Sequence, residues 1–248
     1  MQILLTISYD GTSYAGWQRQ KNAISVQQTI EEAMESLLKQ KITLRSASRT
    51  DAGVHALGQR ASFFVDTLKI PLFKLPSVIN GYLPDDIAII NAEIVPESFS
   101  PRYDAVKKTY HYKIYNRPAP NPLLSRYSAF VPTSLDTAAM IKAAPLFVGV
   151  HDFKAFMASS PDTKGKEVNT VREIFDCSCK NEGNMILITV AGNGFLYNMV
   201  RIISGTILYV GLGKIHPDKI PAIIEQKNRQ NAGKTMPPQG LTLVGVEY

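Results

Sequence analysis

Gln2-Ile3-Leu4-Leu5-Thr6-Ile7-Ser8-Tyr9 runs straight into Asp10-Gly11 at the start of the chain. Side chains alternate faces along a strand, so Ile3, Leu5, Ile7 and Tyr9 share one face, and Asp-Gly then favours a turn. The stretch reads as a half-buried strand. Working outward, Ser25-Val26-Gln27-Gln28 has the form of a capping box. Behind it, Val26, Ile30, Ala33, Met34, Leu37 and Leu38 keep helical spacing to about residue 40. Residues 42–47 read as a strand and residues 58–66 as another. Residues 72–83 read as a helix with Pro71 near its start, and residues 87–95 as a final strand. The first half is therefore β-α-β-β-α-β.

The second half repeats that order. A strand at 109–115 leads to a helix at 135–147, with Ser134 as the candidate cap. Strands at 171–179 and 185–191 follow, separated by the turn Asn181-Glu182-Gly183. A helix at 195–210 ends at Gly211, and a strand at 241–248 closes the chain. The expected architecture is α+β: two ferredoxin-like (RRM-like) halves, residues 1–103 and 104–248, divided in the polar, Pro-containing stretch at 98–107. Antiparallel sheets of this kind can flank a central cleft, and their faces suit RNA because aromatics stack on unpaired bases. Tyr110 and Tyr112 share one face of the 109–115 strand, with His111 and Lys113 on the other. By themselves the two tyrosines read as core.

Composition bounds the function. The 248 residues are 45% hydrophobic and 19% charged, a globular balance rather than a disordered one. No apolar run approaches the roughly 18 residues of a membrane span, and the N-terminus lacks a charged region followed by an apolar signal. The expected home is the cytoplasm, with no membrane partner. Lys and Arg number 27 against 21 acidic residues, a net +6, which favours a nucleic-acid partner without demanding one. Arg19, Lys21, Arg102, Lys107, Lys108, Arg117 and Arg126 lie in or beside predicted loops. The two cysteines, Cys177 and Cys179, fall on one face of a strand and read as buried thiols. His55, His111, His151 and His216 show no ligand spacing, so no metal is expected.

Ser48-Arg49-Thr50-Asp51-Ala52-Gly53-Val54-His55 lies between a predicted strand and the next. A loop held by strong neighbours is a common place to display one reactive carboxylate. Asp-Ala-Gly is also ordinary turn chemistry, with Asp bonding nearby amides and Gly accepting positive φ. The octapeptide alone leaves both readings open.

Five stretches in order along the chain carry a resemblance. They are Tyr9-Asp10-Gly11-Thr12-Ser13-Tyr14-Ala15-Gly16-Trp17-Gln18, with the single tryptophan; Arg49-Thr50-Asp51; Arg102-Tyr103-Asp104-Ala105 running into Lys108-Thr109-Tyr110-His111-Tyr112; Phe195-Leu196-Tyr197-Asn198-Met199-Val200-Arg201 with Gly205; and Ala232-Gly233-Lys234-Thr235 with Pro237-Pro238-Gln239-Gly240-Leu241. Together they resemble the TruA-type tRNA pseudouridine synthases. Three positions depart from that pattern: Ser48 where glycine is usual, Arg60 where an apolar residue is typical, and Met236 where alanine is frequent. If position 48 needs positive φ, Ser48 implies a small strain. Gly233-Lys234-Thr235 looks like the end of a phosphate-binding loop, but residue 228 is Asn where that loop needs glycine, so ATP binding is not expected.

The resemblance implies isomerisation of uridine to pseudouridine at tRNA positions 38, 39 and 40 in the anticodon arm, by a homodimer whose two subunits share one tRNA. It implies Asp51 as nucleophile and Arg201 as the cation facing it from the second half. A nearby guanidinium opposes the desolvation that would protonate the aspartate. The target must be flipped out of its stack. Arg49 is the residue implied for the vacated space. Tyr110 is implied to stack on the base, with its hydroxyl placed for proton transfer. His55 is read as structural. No redox or phosphate step enters, so no cofactor is implied. Two rivals of other classes stay open: a non-catalytic RNA-binding module, and a base-excising glycosylase that also uses a carboxylate.

Overall fold

The computed structural model of the chain describes residues 1–159 and 167–248. Its strands are β1 (Gln2–Tyr9), β2 (Arg45–Ser46), β3 (His55–Phe64), β4 (Ile87–Val95), β5 (Lys107–Asn116), β6 (Ala129–Val131), β7 (Gly149–Asp152), β8 (Val171–Glu182), β9 (Met185–Gly192) and β10 (Leu241–Glu247). The α-helices are α1 (Val26–Leu38), α2 (Leu75–Asn80), α3 (Thr137–Ala143), α4 (Met199–Gly211) and α5 (Ile220–Gln226). Contacts divide the chain into two compact units, Met1–Val106 with Thr242–Tyr248, and Lys107–Leu241. Both are mixed α and β with mostly antiparallel strands. No helix among the described residues is long and apolar enough to cross a membrane.

In the first unit β1 is central, antiparallel to both β3 and β4. Ile3, Leu5 and Ile7 are fully buried, as their alternation requires. α1 is capped by Ser25, whose Oγ accepts the Gln28 amide at 3.3 Å. Only half of the capping box forms, because the Gln28 side chain donates to Glu32 at 2.9 Å. The extended segment predicted at 42–47 shrinks to the two residues of β2, although Ile42, Leu44 and Ala47 are buried. The reason lies in α1. Its carboxylates take the free amides, Glu35 accepting from Ile42 N at 3.2 Å and Glu31 from Leu44 N at 2.9 Å, so no strand partner is needed. The helix predicted at 72–83 is a 3-10 turn followed by α2. It stops at Asn80, whose side chain donates to Ile89 O at 3.0 Å and accepts from Ile89 N at 2.7 Å, stapling the helix end to β4.

The sequence reading closes the second half with 241–248. In the structure β10 runs parallel to β3 through Thr242–His55 and Leu243–Ala56, within the first unit. Gly58 permits this approach, since a Cβ there would lie 2.6 Å from Val244 O. Tyr248 then closes on Phe99 with ring centroids 4.8 Å apart, and its hydroxyl donates to Pro101 O at 3.0 Å. Arg60, one of the three departures, is engaged in the same place. It bonds Thr6 and Glu93 and lies over the Tyr248 ring, 5.7 Å from its centroid.

In the second unit the order is β5-β9-β8-β7, antiparallel throughout, with the short β6 parallel to the end of β5. The β8–β9 hairpin turns at Gly183 in positive φ (+71°), one step later than Asn181-Glu182-Gly183 suggests. The cap of α3 is Asp136, not Ser134, because the Asp136 carboxylate accepts Ala139 N at 2.9 Å. It passes into a 3-10 turn at Ala144–Phe147, where Pro145 has no amide to continue the ladder. α4 is buried on nearly every side, which makes it the core helix of this unit. It starts at Met199 rather than residue 195, because Asn198 adopts a left-handed conformation (φ 61°). β6, β7 and α5 have no counterpart in the sequence reading; each is too short to show a clear period.

Candidate active site

The Asp51 loop sits between β2 and β3 and is gripped from within its own unit. Gln59 Nε2 donates to Ser48 O at 2.8 Å. Trp17 N donates to Thr50 O at 3.0 Å, and Gly53 N to Tyr14 O at 3.4 Å. Val54 N closes a turn onto Asp51 O at 3.1 Å, and Gly53 supplies the positive φ (+76°) that follows it. Ser48 is not among the residues with positive φ, so replacing the usual glycine costs no backbone strain. Two glycines let the neighbouring chain reach the loop. A Cβ on Gly16 would lie 2.6 Å from Thr50 O, and one on Gly11 would lie 2.0 Å from Val54 O.

Exposure divides the loop by role. Thr50, Val54 and His55 are buried, Asp51 is half-buried, and Arg49 is exposed beside it. The Asp51 carbonyl closes the turn, and the residue as a whole is half-buried. His55 Nδ1 lies 3.1 Å from Gly11 N and 3.0 Å from Asp10 Oδ1, tying the start of β3 to the turn after β1. That geometry is a brace.

The second unit holds Tyr110 and Arg201. β5 alternates as expected, with Tyr110 and Tyr112 buried and His111 and Lys113 half-buried. The Tyr110 ring meets Phe195 edge-on, centroids 5.2 Å apart and planes at 87°. The Tyr112 hydroxyl donates to Pro237 O at 2.7 Å. Burial pushes its pKa well above the ordinary tyrosine value, against the opposing charge of Arg201. Burial, with Lys113 adding to it, lowers the pKa of His111. Arg201 is fixed by its own head group, Nε donating to Met236 O at 2.7 Å and a terminal nitrogen to Asn198 Oδ1 at 2.6 Å.

Gly205 and Gly233 bring that anchoring strap onto α4. A Cβ on Gly205 would sit 1.9 Å from Lys234 O, and one on Gly233 would sit 2.3 Å from Gly205 O. Gly233 N also donates to Thr206 Oγ1 at 2.8 Å. The glycine of the Gly-Lys-Thr decoy is thus explained by packing against a helix. Met236, the third departure, is buried and supplies from its backbone the carbonyl that holds Arg201.

Motifs scattered along the sequence therefore assemble in two places: the first with the second, and the Tyr110 and Tyr112 part of the third with the fourth and fifth. A model of the tRNA pseudouridine synthase family matches residues 5–104 and 143–248. The chain belongs to the tRNA pseudouridine synthase family. It is 52% identical over 248 residues to the tRNA pseudouridine synthase A of Ruminiclostridium cellulolyticum, covering 100% of this chain and 99% of that one. The corresponding protein of Caldicellulosiruptor bescii is 48% identical over 246 residues, and that of Acetivibrio thermocellus likewise 48% over 246, each alignment covering 99% of both chains. Membership makes the chain an isomerase by class.

The structure brings Arg49 and Asp51 into one loop of the first unit, and Tyr110 and Arg201 into the second. Sequence reasoning missed the residues that hold them. Thr50, Trp17 and Gly16 grip the Asp51 loop; Asn198 and the Met236 carbonyl hold Arg201. The signal was present for Gly16, between Ala15 and Trp17, and for Gly205, isolated inside a helical pattern, since such a glycine often has a packing reason. For a backbone carbonyl it was absent, because any residue supplies one. Among the described residues no three His, Cys, Asp or Glu side chains cluster as a metal site would. Cys177 and Cys179 are free and buried, and burial raises the Cys179 thiol to about 11.

Proposed function

We propose that the protein converts uridine to pseudouridine at positions 38, 39 and 40 of the tRNA anticodon stem-loop, with Asp51 as the nucleophile toward a flipped-out nucleotide. The single observation that carries this reading is the Asp51 loop: a fixed backbone, a half-buried aspartate and an exposed Arg49 next to it. The reaction breaks the bond from uracil N1 to ribose C1′, turns the base, joins C5 to C1′ and moves one proton from C5 to N1. Atoms and electrons balance without a redox partner, so the chain's own groups suffice. An ionised carboxylate suits attack on an electron-poor centre.

The other roles follow from the same reading. Arg201 supplies the positive charge that favours an ionised carboxylate in a water-poor site. Tyr110 stacks on the base and handles a proton, and Arg49 fills the space that the flipped nucleotide leaves. We read the two compact units as the two ferredoxin-like halves, expected as residues 1–103 and 104–248, with the closing strand given to the first. The working form is a cytoplasmic homodimer in which one tRNA meets both subunits. The net charge of +6 supports a polyanionic substrate whose binding weakens as salt rises.

The test is Asp51→Asn under single-turnover conditions with enzyme in excess, which isolates the chemical step from product release. Asn serves turns nearly as well as Asp. The variant is therefore expected to fold, to bind tRNA with similar affinity, and to form no detectable pseudouridine. Isomerisation by the folded variant, with deamidation back to Asp excluded by mass spectrometry, would overturn the assignment.

A further inference from the structure

The Tyr9–Gln18 stretch has no role in the chemistry above, yet it is built against the Asp51 loop. The register of β1 against β3 shifts just before its end, from Ile7 opposite Gln59 to Tyr9 opposite Ala56. The extra residue lies in β3, and such bulges recur beside active sites. Tyr9 keeps the inward face of Ile3, Leu5 and Ile7 and is buried at 4% exposure, its hydroxyl 2.7 Å from Thr50 Oγ1. Thr50 is buried as well and directly precedes Asp51. The other side of Thr50 is held too, since its carbonyl accepts Trp17 N at 3.0 Å. Gly16, in positive φ (+92°), is bare so that this carbonyl can come close. Trp17 completes the wall, its ring 5.9 Å from that of Tyr9.

We infer that Tyr9 is a positioning residue for Asp51, acting through the buried Tyr9–Thr50 hydroxyl pair. Aspartate has a short side chain, so where its carboxylate points follows from where its backbone lies. The turn from Val54 N to Asp51 O fixes the chain after Asp51. Thr50 fixes it before, at two atoms: a side-chain oxygen tied to the end of β1 and a carbonyl tied to Trp17. A buried hydroxyl without its partner is costly and drives local rearrangement. Removing the pair therefore lets the loop shift by a fraction of an ångström. Catalysis is sensitive to shifts of that size, whereas RNA binding, spread over many phosphate contacts, is not. The inference rests on the assignment of Asp51 as nucleophile.

The experiment is a double-mutant cycle in the full-length protein with Tyr9→Phe, Thr50→Val and both together, beside Thr50→Ser and Asp51→Asn. Each is measured for the single-turnover rate of pseudouridine formation, for tRNA affinity and for thermal unfolding. Tyr9→Phe and Thr50→Val are each expected to slow the chemical step by roughly tenfold to a hundredfold, the scale of a misplacement of up to ~1 Å, with affinity within about twofold. The double variant should be no slower than the slower single one, because both remove the same contact. Thr50→Ser, which keeps the oxygen, should recover most of the rate lost in Thr50→Val. A wild-type rate in Tyr9→Phe, losses that multiply in the double variant, or a loss confined to tRNA affinity would each overturn the positioning role. The two readings fail differently. An active Asp51→Asn protein removes the nucleophile assignment, whereas an inactive one beside a fully active Tyr9→Phe removes only the role of Tyr9.

Discussion

Asp51 and Arg201 are held in opposite ways. Around Asp51 the grip falls on the backbone: Ser48 O, Thr50 O and Asp51 O all accept hydrogen bonds, and Gly53 sets the turn. Arg201 is gripped at its guanidinium, by Met236 O and Asn198 Oδ1. Side-chain length explains the contrast. A carboxylate one methylene from Cα goes where its backbone goes. A guanidinium at the end of a flexible stem must be caught at the tip, or its rotamer entropy scatters it. Both grips depend on glycines that admit a second chain, Gly11 and Gly16 in one unit and Gly205 and Gly233 in the other.

The largest expected effect tests the backbone grip. Asp51→Glu keeps the carboxylate and moves it outward by one methylene, so single-turnover activity should fall at least roughly a hundredfold while the unfolding temperature barely moves. Near-normal turnover would break the contrast, since the site would then adjust to the side chain. Next come the glycines. Gly11→Ala would place Cβ 2.0 Å from Val54 O, and Gly205→Ala 1.9 Å from Lys234 O, so something must shift in each case. Each should cost about 2 kcal/mol in chemical denaturation. An unchanged midpoint in either would show that its strap yields without cost.

Arg201→Lys keeps the charge and loses the Nε contact to Met236 O along with the planar fork. Turnover should drop about tenfold, with tRNA binding little altered. Equal activity would mean that charge alone suffices and the tip need not be held. The smallest effect comes at an exception to that rule, Asp152, a carboxylate that is caught at its tip. Burial works to raise its pKa and is outweighed by bonds from Lys227, Thr170 and the Lys154 amide, leaving the value below the ordinary one. A depressed folded pKa contributes stability above the unfolded value, near pH 4, and the contribution is lost as pH falls through the folded value. Asp152→Asn should therefore cost about 1 kcal/mol at neutral pH, with the gap to wild type closing below about pH 4. A gap that stays constant with pH would place the effect in packing rather than charge.

Where a period was long enough to count, the sequence named the element. β1, α1, β4 and β9 lie close to where alternation and helical spacing put them. Asp51, Arg49, Tyr110 and Arg201 were legible as members of ordered motifs, through resemblance more than through local chemistry. The misses have separate local causes. At 42–47 the pattern of a strand is present, but Glu31 and Glu35 compete for its amides. At residue 195 a helical pattern is present, but Asn198 takes a left-handed turn that periodicity cannot register.

By itself the sequence determined which residues are apolar, in what rhythm, and in what order the family's motifs come. That was enough for most elements and for the family, because alternation and ordered motifs are properties of the chain taken one segment at a time. Which neighbour each segment meets was decided only in three dimensions. β10 adds to β3 in the first unit, Thr50 finds the Tyr9 hydroxyl across 41 positions, and Arg201 finds Met236 O across 35. The physical reason is that hydrogen-bond partners are chosen by proximity after packing. A backbone carbonyl or a lone hydroxyl carries no mark in the sequence of the partner that will reach it.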